Sequence, residues 1–327
     1  MRSIEPFVKF NTQIQKIEMD MQLKLAKISQ QQRGELAKLV VTQGINSPVL
    51  PTGIVRLADD TARQAAGLLA DVAPKIEVPI RRLLVAQLAE GELSYVRAGM
   101  LINNTENLAL AADAWSRNTG GKLLQVLLRL RGDNVSDIDG VDGLIGDLDP
   151  MGVSYPLSPW ASATNDIRLW ISDELWSETN GALNDAYGDV SEGTQIPWLK
   201  QWISAVDERT TATCLALHAV TVPVDDEFDL TGLSPAYADA VDSPPGHWNC
   251  RSAMALVQEE KAGDIFSRKM NEARSAEIDR RANLKKGERS RELRDVQTKG
   301  RRNYKPGRKA TGATPSGWEW WKETSFD

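Results

Sequence analysis

Two short stretches decide how this chain is read: WISAVDERTTATCLALH, over Trp202–His218, and PPGHWNCR, over Pro244–Arg251. Between them they hold Cys214, His218, His247 and Cys250, which are both cysteines and both histidines of the 327-residue chain. Cys214 and His218 are four apart, so on a helix they share a face, while His247 and Cys250 bracket two residues as a tight turn would. Two such pairs have the spacing of a tetrahedral zinc site, with four N or S ligands and no open position. A closed site fastens a fold and leaves no place for activated water. Three readings of the quartet stand side by side: structural zinc, a metal-free core in which the cysteines are small buried residues, and a Cys214–Cys250 disulfide. Trp202, Ser204 and Val206 alternate with Ile203, which predicts a strand over Lys200–Val206 and a small α+β unit around it. Trp202 and Trp248 are expected in the core around the turn, since large aromatics dominate small cores.

Working outward, the preceding segment Asn165–Tyr187 has helical spacing through Ile167, Ile171, Leu175, Thr179 and Leu183, with an interruption from Gly188 to Pro197. Near the start, Ile14, Ile17, Met21, Leu25 and Ile28 recur at three- and four-residue steps, predicting one amphipathic helix over Phe7–Val41 that Gly44, Pro48 and Pro51 stop. Gly53–Leu130 is rich in Leu, Ala, Val and Arg and reads as several helices with breaks near Pro74, Pro79 and Gly120. The Gly- and Asp-rich run over Gly132–Asp149 misses the register of a calcium loop at Asp137, Asp139 and Asp142 and is expected as a solvated loop.

Charge is uneven. The net charge is -6, yet Lys and Arg concentrate between Lys261 and Lys309. The stretch Ser267–Lys286 is helix-prone, and beyond it the apolar residues run out towards Arg301, Arg302 and Lys305 before Trp318, Trp320 and Trp321 close the sequence. Such a basic tail predicts contact with DNA or an acidic surface, and the tryptophans predict a protein groove. The whole divides into residues 1–45 (amphipathic helix), 46–164 (helical domain), 165–257 (metal-fastened module) and 258–327 (basic tail). The expected fold is mainly α: a helical N-terminal region, a small α+β zinc-fastened module and an extended basic C-terminal tail.

The composition, 41% hydrophobic and 26% charged, is that of ordinary globular protein, and no apolar run approaches the roughly 20 residues of a membrane span. The first ten residues lack the apolar core of a secretion signal, which predicts synthesis and use in the cytoplasm. Two cysteines exclude a disulfide scaffold. No G-x-S-x-G elbow, phosphate loop or G-x-G-x-x-G occurs, so neither acyl transfer nor nucleotide-driven chemistry is supported, and no small-molecule substrate is expected. Glu90 and Glu92 form an E-x-E pair, but without companion residues.

The run from Trp202 through Asp207, Glu208, Arg209 and Thr210 to Cys214 and Leu217, followed by Pro244, Pro245, His247, Asn249, Cys250 and Arg251, resembles the phage Mu F-like head morphogenesis domain. Glu178, Thr179, Asn180, Ala186 and Tyr187 resemble the helix that precedes it, so the likeness covers about Asn165–Val257. Members commonly carry Cys-x-x-Cys after the D-E-R-T stretch and a Gly shortly beyond it; here Thr211 takes the first Cys position and Ala219 the Gly, with His218 as the expected replacement ligand. The resemblance implies a minor head protein of the virion, near the portal and among the major capsid protein, that acts in head assembly and in packaging or ejecting DNA by binding. Within the motif, Asp207 and Arg251 suit a charge-assisted pair tying the two blocks together, and Arg209 suits one with Glu208 or Asp225. The rival reading is a zinc-stiffened DNA-binding protein or small His-Asn-His nuclease, which needs a spare His to activate water.

Overall fold

The computed structural model describes residues 5–96, 105–134, 159–207, 210–234, 236, 238–259, 265–285 and 287–288. Most of the expected solvated loop, from residue 135 on, the Glu208 and Arg209 positions, and the tail residues Arg301, Arg302, Lys305, Trp318, Trp320 and Trp321 lie outside them.

Helix α1 spans Glu5–Gln43. Its buried residues Phe7, Phe10, Ile14, Met21, Leu25, Leu36 and Val40 fall on the three-and-four spacing read from the sequence. Gly44 ends it with a φ of 77°, donating its N–H to the Val40 carbonyl at 2.8 Å, as a left-handed glycine closing a helix does.

Helix α2 spans Leu50–Gln87 and runs through both Pro74 and Pro79, where breaks are expected from the sequence. The correction has a physical reason. Val72, Ile76, Ile80, Leu83 and Leu84 keep one buried stripe across both prolines, and that burial outweighs the lost backbone donors. Pro51 sits in the first turn, where a missing N–H costs nothing. Helix α3, Glu90–Leu93, uses the E-x-E pair for capping: the Glu92 carboxylate accepts from Ala89 N–H at 2.7 Å.

Helix α4 spans Thr105–Gly132 and passes Gly120 without a break, with Gly120 facing α2, where a Cβ would make ordinary contacts with Ala58 Cβ at 3.7 Å and Val55 Cα at 4.0 Å. Leu36, Val40, Ile45, Leu50, Ile54, Leu57, Leu123 and Leu127 form one buried cluster, over which Arg131 Nε donates to the Ile45 carbonyl at 2.7 Å. Helix α5, Pro159–Thr194, continues through Gly188 and stops where Gln195 takes a φ of 54° ahead of Pro197.

A three-stranded antiparallel sheet follows, from β1 (Trp198–Ile203), β2 (Thr221–Pro223) and β5 (Ala253–Gln258), in the order β2-β1-β5. Trp198 pairs with Gln258, and Ile203 with Ala253. The strand therefore begins and ends earlier than Lys200–Val206, and Val206, at a φ of 55°, has left it. Between β1 and β2 lies the short helix α6, Ala212–Leu217; β3 (Phe228–Asp229) and β4 (Ala240–Val241) make a separate two-stranded ribbon. Helix α7 spans Ile265–Ala282.

The outer edge of β5 is closed by side chains. Leu256 N–H donates to Gln87 Oε1 at 2.9 Å, the Met254 carbonyl accepts from the Tyr187 hydroxyl at 3.0 Å, and the Ser252 carbonyl accepts from Asn180 Nδ2 at 3.1 Å. Helix residues thus take the place of a further strand and leave this edge unable to template another chain.

The fold is mainly helical with a small sheet, and no helix among the described residues is long and apolar enough to cross a membrane. Two compact units divide it. One comprises Met1–Ile17, Pro74–Leu101 and Asp173–Asp327; the other comprises Glu18–Ala73 and Ile102–Ser172. Each is assembled from separated stretches, in contrast to the consecutive blocks drawn from the sequence.

Candidate metal centre

Strand β1 leads directly into the site. After Ile203 the chain turns through Asp207 and Thr210 to α6, whose N-cap is Thr211: its hydroxyl accepts from Cys214 N–H at 3.2 Å. Cys214 is thereby set one turn into the helix, buried and facing the second block. That block is a turn in which Cys250 N–H donates to the His247 carbonyl at 3.2 Å and Asn249 takes a φ of 60°. His247 and Cys250 point inward from it.

Cys214 Sγ lies 2.8 Å from His247 Nε2 and 3.5 Å from Cys250 Sγ, and the three ligand atoms all lie within 4.8 Å of one another. All three residues are buried. This group could hold a metal ion. In a tetrahedral zinc site two thiolates at the usual bond length stand about 3.8 Å apart, close to the separation here, while sulfur and nitrogen stand about 3.6 Å apart, so His247 would draw back by about 0.8 Å. His247 Nδ1 is 2.8 Å from the Trp248 carbonyl. With a carbonyl there, Nδ1 carries the proton and Nε2 keeps a lone pair for the centre.

The electrostatics of the metal-free group favour a second proton on the ring, at Nε2, which a metal would displace. Burial by itself would raise the Cys250 thiol, but hydrogen bonds from Cys214 and His247 and the imidazolium charge hold it well below the ordinary range. Cys214 is pushed well up, first by its hydrogen bond to Cys250 and then by burial. His247 is raised: burial lowers it, and the Cys250 contact and charge outweigh that. A lowered thiol beside a raised imidazole is an ion pair, and the thiolate it stabilises is the form of cysteine that binds metals. Ser252 Oγ donates to Cys214 Sγ at 3.3 Å, and Ser204 Oγ donates to the Cys214 carbonyl at 2.7 Å, so two hydroxyls missed by sequence reading surround this cysteine.

His218 does not join the cluster. Helix α6 ends at Leu217, and His218 itself has a ψ of 126°, so the four-residue spacing no longer places it on the face of Cys214. Its Nδ1 instead accepts from Ser204 N–H at 2.9 Å, and burial, with Arg274 nearby, pushes its pKa down to about 3. His218 is a neutral core residue that ties α6 back to β1. The oxygen that reaches the cluster is Thr211 Oγ1, 2.7 Å from His247 Nε2.

The Asp207–Arg251 pair is present: Arg251 Nη2 donates to both carboxylate oxygens, at 2.8 and 2.9 Å. Thr210 closes the same corner, its hydroxyl accepting from Asp207 N–H at 2.9 Å and donating to Oδ1 at 3.0 Å. Arg281 of α7 donates to the Asp207 carbonyl at 2.9 Å, and Asn11 of α1 donates to the Arg251 carbonyl at 3.1 Å. Arg281 and Arg280 both grip Glu277, with contacts at 2.6 Å, which holds that carboxyl below its usual value against the opposing effect of burial.

Trp202 is fully buried and meets Phe228 edge to face, with ring centroids 5.1 Å apart. Trp248 corrects the sequence expectation: it is 54% exposed, because the turn that directs His247 and Cys250 inward directs the residue between them outward. Beneath the sheet Lys200 is buried, donating to Asn184 Oδ1 at 3.0 Å with its ammonium 5.7 Å from the Phe228 ring centre; burial lowers its pKa.

Set against known proteins, the chain matches no family model, and no curated sequence or solved structure shows significant similarity to it. What the chain does must therefore be read from the geometry of the site.

Proposed function

We propose that this chain is a minor head protein of a phage virion, of the Mu F-like head morphogenesis kind, acting by binding and fastened by a structural zinc ion at Cys214, His247 and Cys250. One observation carries the reading. The two blocks that bear the resemblance, well separated in the sequence, meet in a single buried corner, where the sulfur–imidazole cluster and the Asp207–Arg251 pair lie side by side. A soft donor set of two sulfurs and one imidazole nitrogen favours zinc among the common divalent ions, and burial of all three ligands suits fastening over turnover. A small nuclease would need a second histidine free to activate water; His218 is buried and neutral, with Nδ1 committed to Ser204.

In this reading the portal and major capsid proteins are the partners, and the basic stretch Lys261–Lys309 meets packaged DNA or an acidic portal surface while Trp318, Trp320 and Trp321 anchor in a protein groove. The test is to assemble heads from portal and major capsid proteins with the full chain and measure what sediments with them across a salt series. Neutralising Arg301, Arg302 and Lys305 should weaken retention in a salt-dependent way, and Trp320→Ala with Trp321→Ala should lower it at every ionic strength. A chain that stays out of assembled heads refutes the proposal, as does metal-dependent DNA cleavage lost in His247→Ala.

A further inference from the structure

The three ligands leave one corner of a tetrahedron to be filled, and one further side chain lies against the cluster. Cys214 Sγ and Thr211 Oγ1 both contact His247 Nε2, at 2.8 and 2.7 Å. Because Nδ1 faces the Trp248 carbonyl, Nε2 is the ring nitrogen turned to the cluster, so the Thr211 hydroxyl lies on the side of the ring that a metal would take. The hydroxyl's position does not depend on the histidine, since Thr211 also receives Cys214 N–H at 3.2 Å.

We propose that the fourth donor of the centre is the hydroxyl oxygen of Thr211, giving a set of two cysteines, one histidine and one threonine in place of the two cysteines and two histidines that spacing suggests. This inference rests on the metal reading above. An oxygen donor is a weaker partner for zinc than a thiolate or imidazole, so this corner is the exchangeable one. Metal binding here would release the Cys214 thiol proton and the Nε2 proton to solvent, and the Thr211 hydroxyl would turn its own proton away from Nε2 to offer an oxygen lone pair.

The experiment uses the reduced full-length protein loaded with cobalt(II) as a spectroscopic stand-in for zinc, with chelator competition read alongside. Thr211→Cys should raise the thiolate-to-cobalt charge-transfer intensity by about half, three thiolates replacing two, and should slow metal loss at least tenfold. Thr211→Val should speed metal loss at least tenfold, and Thr211→Ser should restore the parent rate. His218→Gln should leave both readouts within about twofold of the parent. Thr211→Asn separates ligation from helix capping: asparagine caps a helix as well as threonine does but offers no hydroxyl, so a residue that only caps α6 would keep its metal after the change, whereas a ligand would lose it as Thr211→Val does. Metal retention lost in His218→Gln but unchanged in Thr211→Val overturns this inference and leaves the three-ligand centre standing. Failure of the parent and of every variant to bind cobalt or zinc overturns the metal reading itself.

Discussion

Arg251 Nη2 holds both oxygens of the Asp207 carboxylate, at 2.8 and 2.9 Å, with only 1% of the Asp207 side chain and 12% of the Arg251 side chain exposed. The pair joins the first block to the end of the second, and its burial sets its energetics. Removing one partner leaves an uncompensated charge in a site that water does not reach. Arg251→Met should therefore cost about 3 kcal/mol in urea unfolding, and adding Asp207→Asn should recover a good part of that. A loss under about 0.5 kcal/mol would mark the pair as no more than a surface contact.

Metal content is the most direct measurement. Purified under reducing conditions, the protein should carry about one zinc per chain, and strong chelators should lower its thermal midpoint. Cys250→Ser should abolish binding and open the segment from Asn180 to Val257 to protease, because metal affinity becomes folding free energy where the ligands come from separate stretches. Unchanged protease resistance in that variant, at full metal removal, would count against a structural role.

His218 predicts a pH dependence. Its pKa is about 3 in the fold, from burial first and the neighbouring Arg274 second, against about 6.5 in an unfolded chain. The unfolded state takes up the proton first, so the stability tied to the neutral ring is complete above pH 6.5 and declines as pH falls towards 3. By about pH 5 the loss relative to about pH 8 should reach about 2 kcal/mol. Comparing parent with His218→Gln, both held at saturating zinc, isolates this share, since the metal ligands are the same in both. Parallel acid limbs in the two proteins would contradict it.

The closed edge of β5 predicts non-additivity. Gln87 accepts from Leu256 N–H and also meets the Tyr187 hydroxyl at 3.1 Å, so one network serves two backbone groups of the strand. Tyr187→Phe should cost about 1 kcal/mol and Gln87→Leu about 2 kcal/mol, with a coupling of at least about 0.5 kcal/mol in the double variant. Hydrogen exchange at the Leu256 amide should quicken in Gln87→Leu. Simple additivity would mean that water already serves this edge.

Much of the fold and the site is legible in the residues, for reasons that differ by position. The α1 stripe from Phe7 to Val40 announces itself because one face of a long helix repeats the same choice many times. Cys214, His247 and Cys250 stand out by rarity and by being confined to two short runs. His218 misleads because an i to i+4 argument presumes that the helix goes on, and α6 ends one residue before it. Thr211 is three residues before Cys214 and reads in the sequence only as a replaced cysteine; its role as a cap facing His247 depends on where a different stretch of chain returns. Pro74 and Pro79 mislead in the opposite sense, since local rules cannot weigh the tertiary burial of Val72, Ile76 and Ile80 that carries α2 past them. Ser204 and Ser252 give no signal, because serine is common and nothing in its spacing tells which ones contact a buried cysteine.

The contact from Asn11 Nδ2 to the Arg251 carbonyl joins residues 240 positions apart. On a ribosome that corner stays incomplete until the second block has emerged, so α1 must wait through the synthesis of most of the chain. Closing so long a span adds an entropic cost that grows slowly with length, and it ties the maturation of this corner to late events in folding. A fragment cut anywhere between the two ends would carry half of a joint, and engineers seeking to display this corner on another scaffold would have to transplant it as separated pieces, not as a cassette.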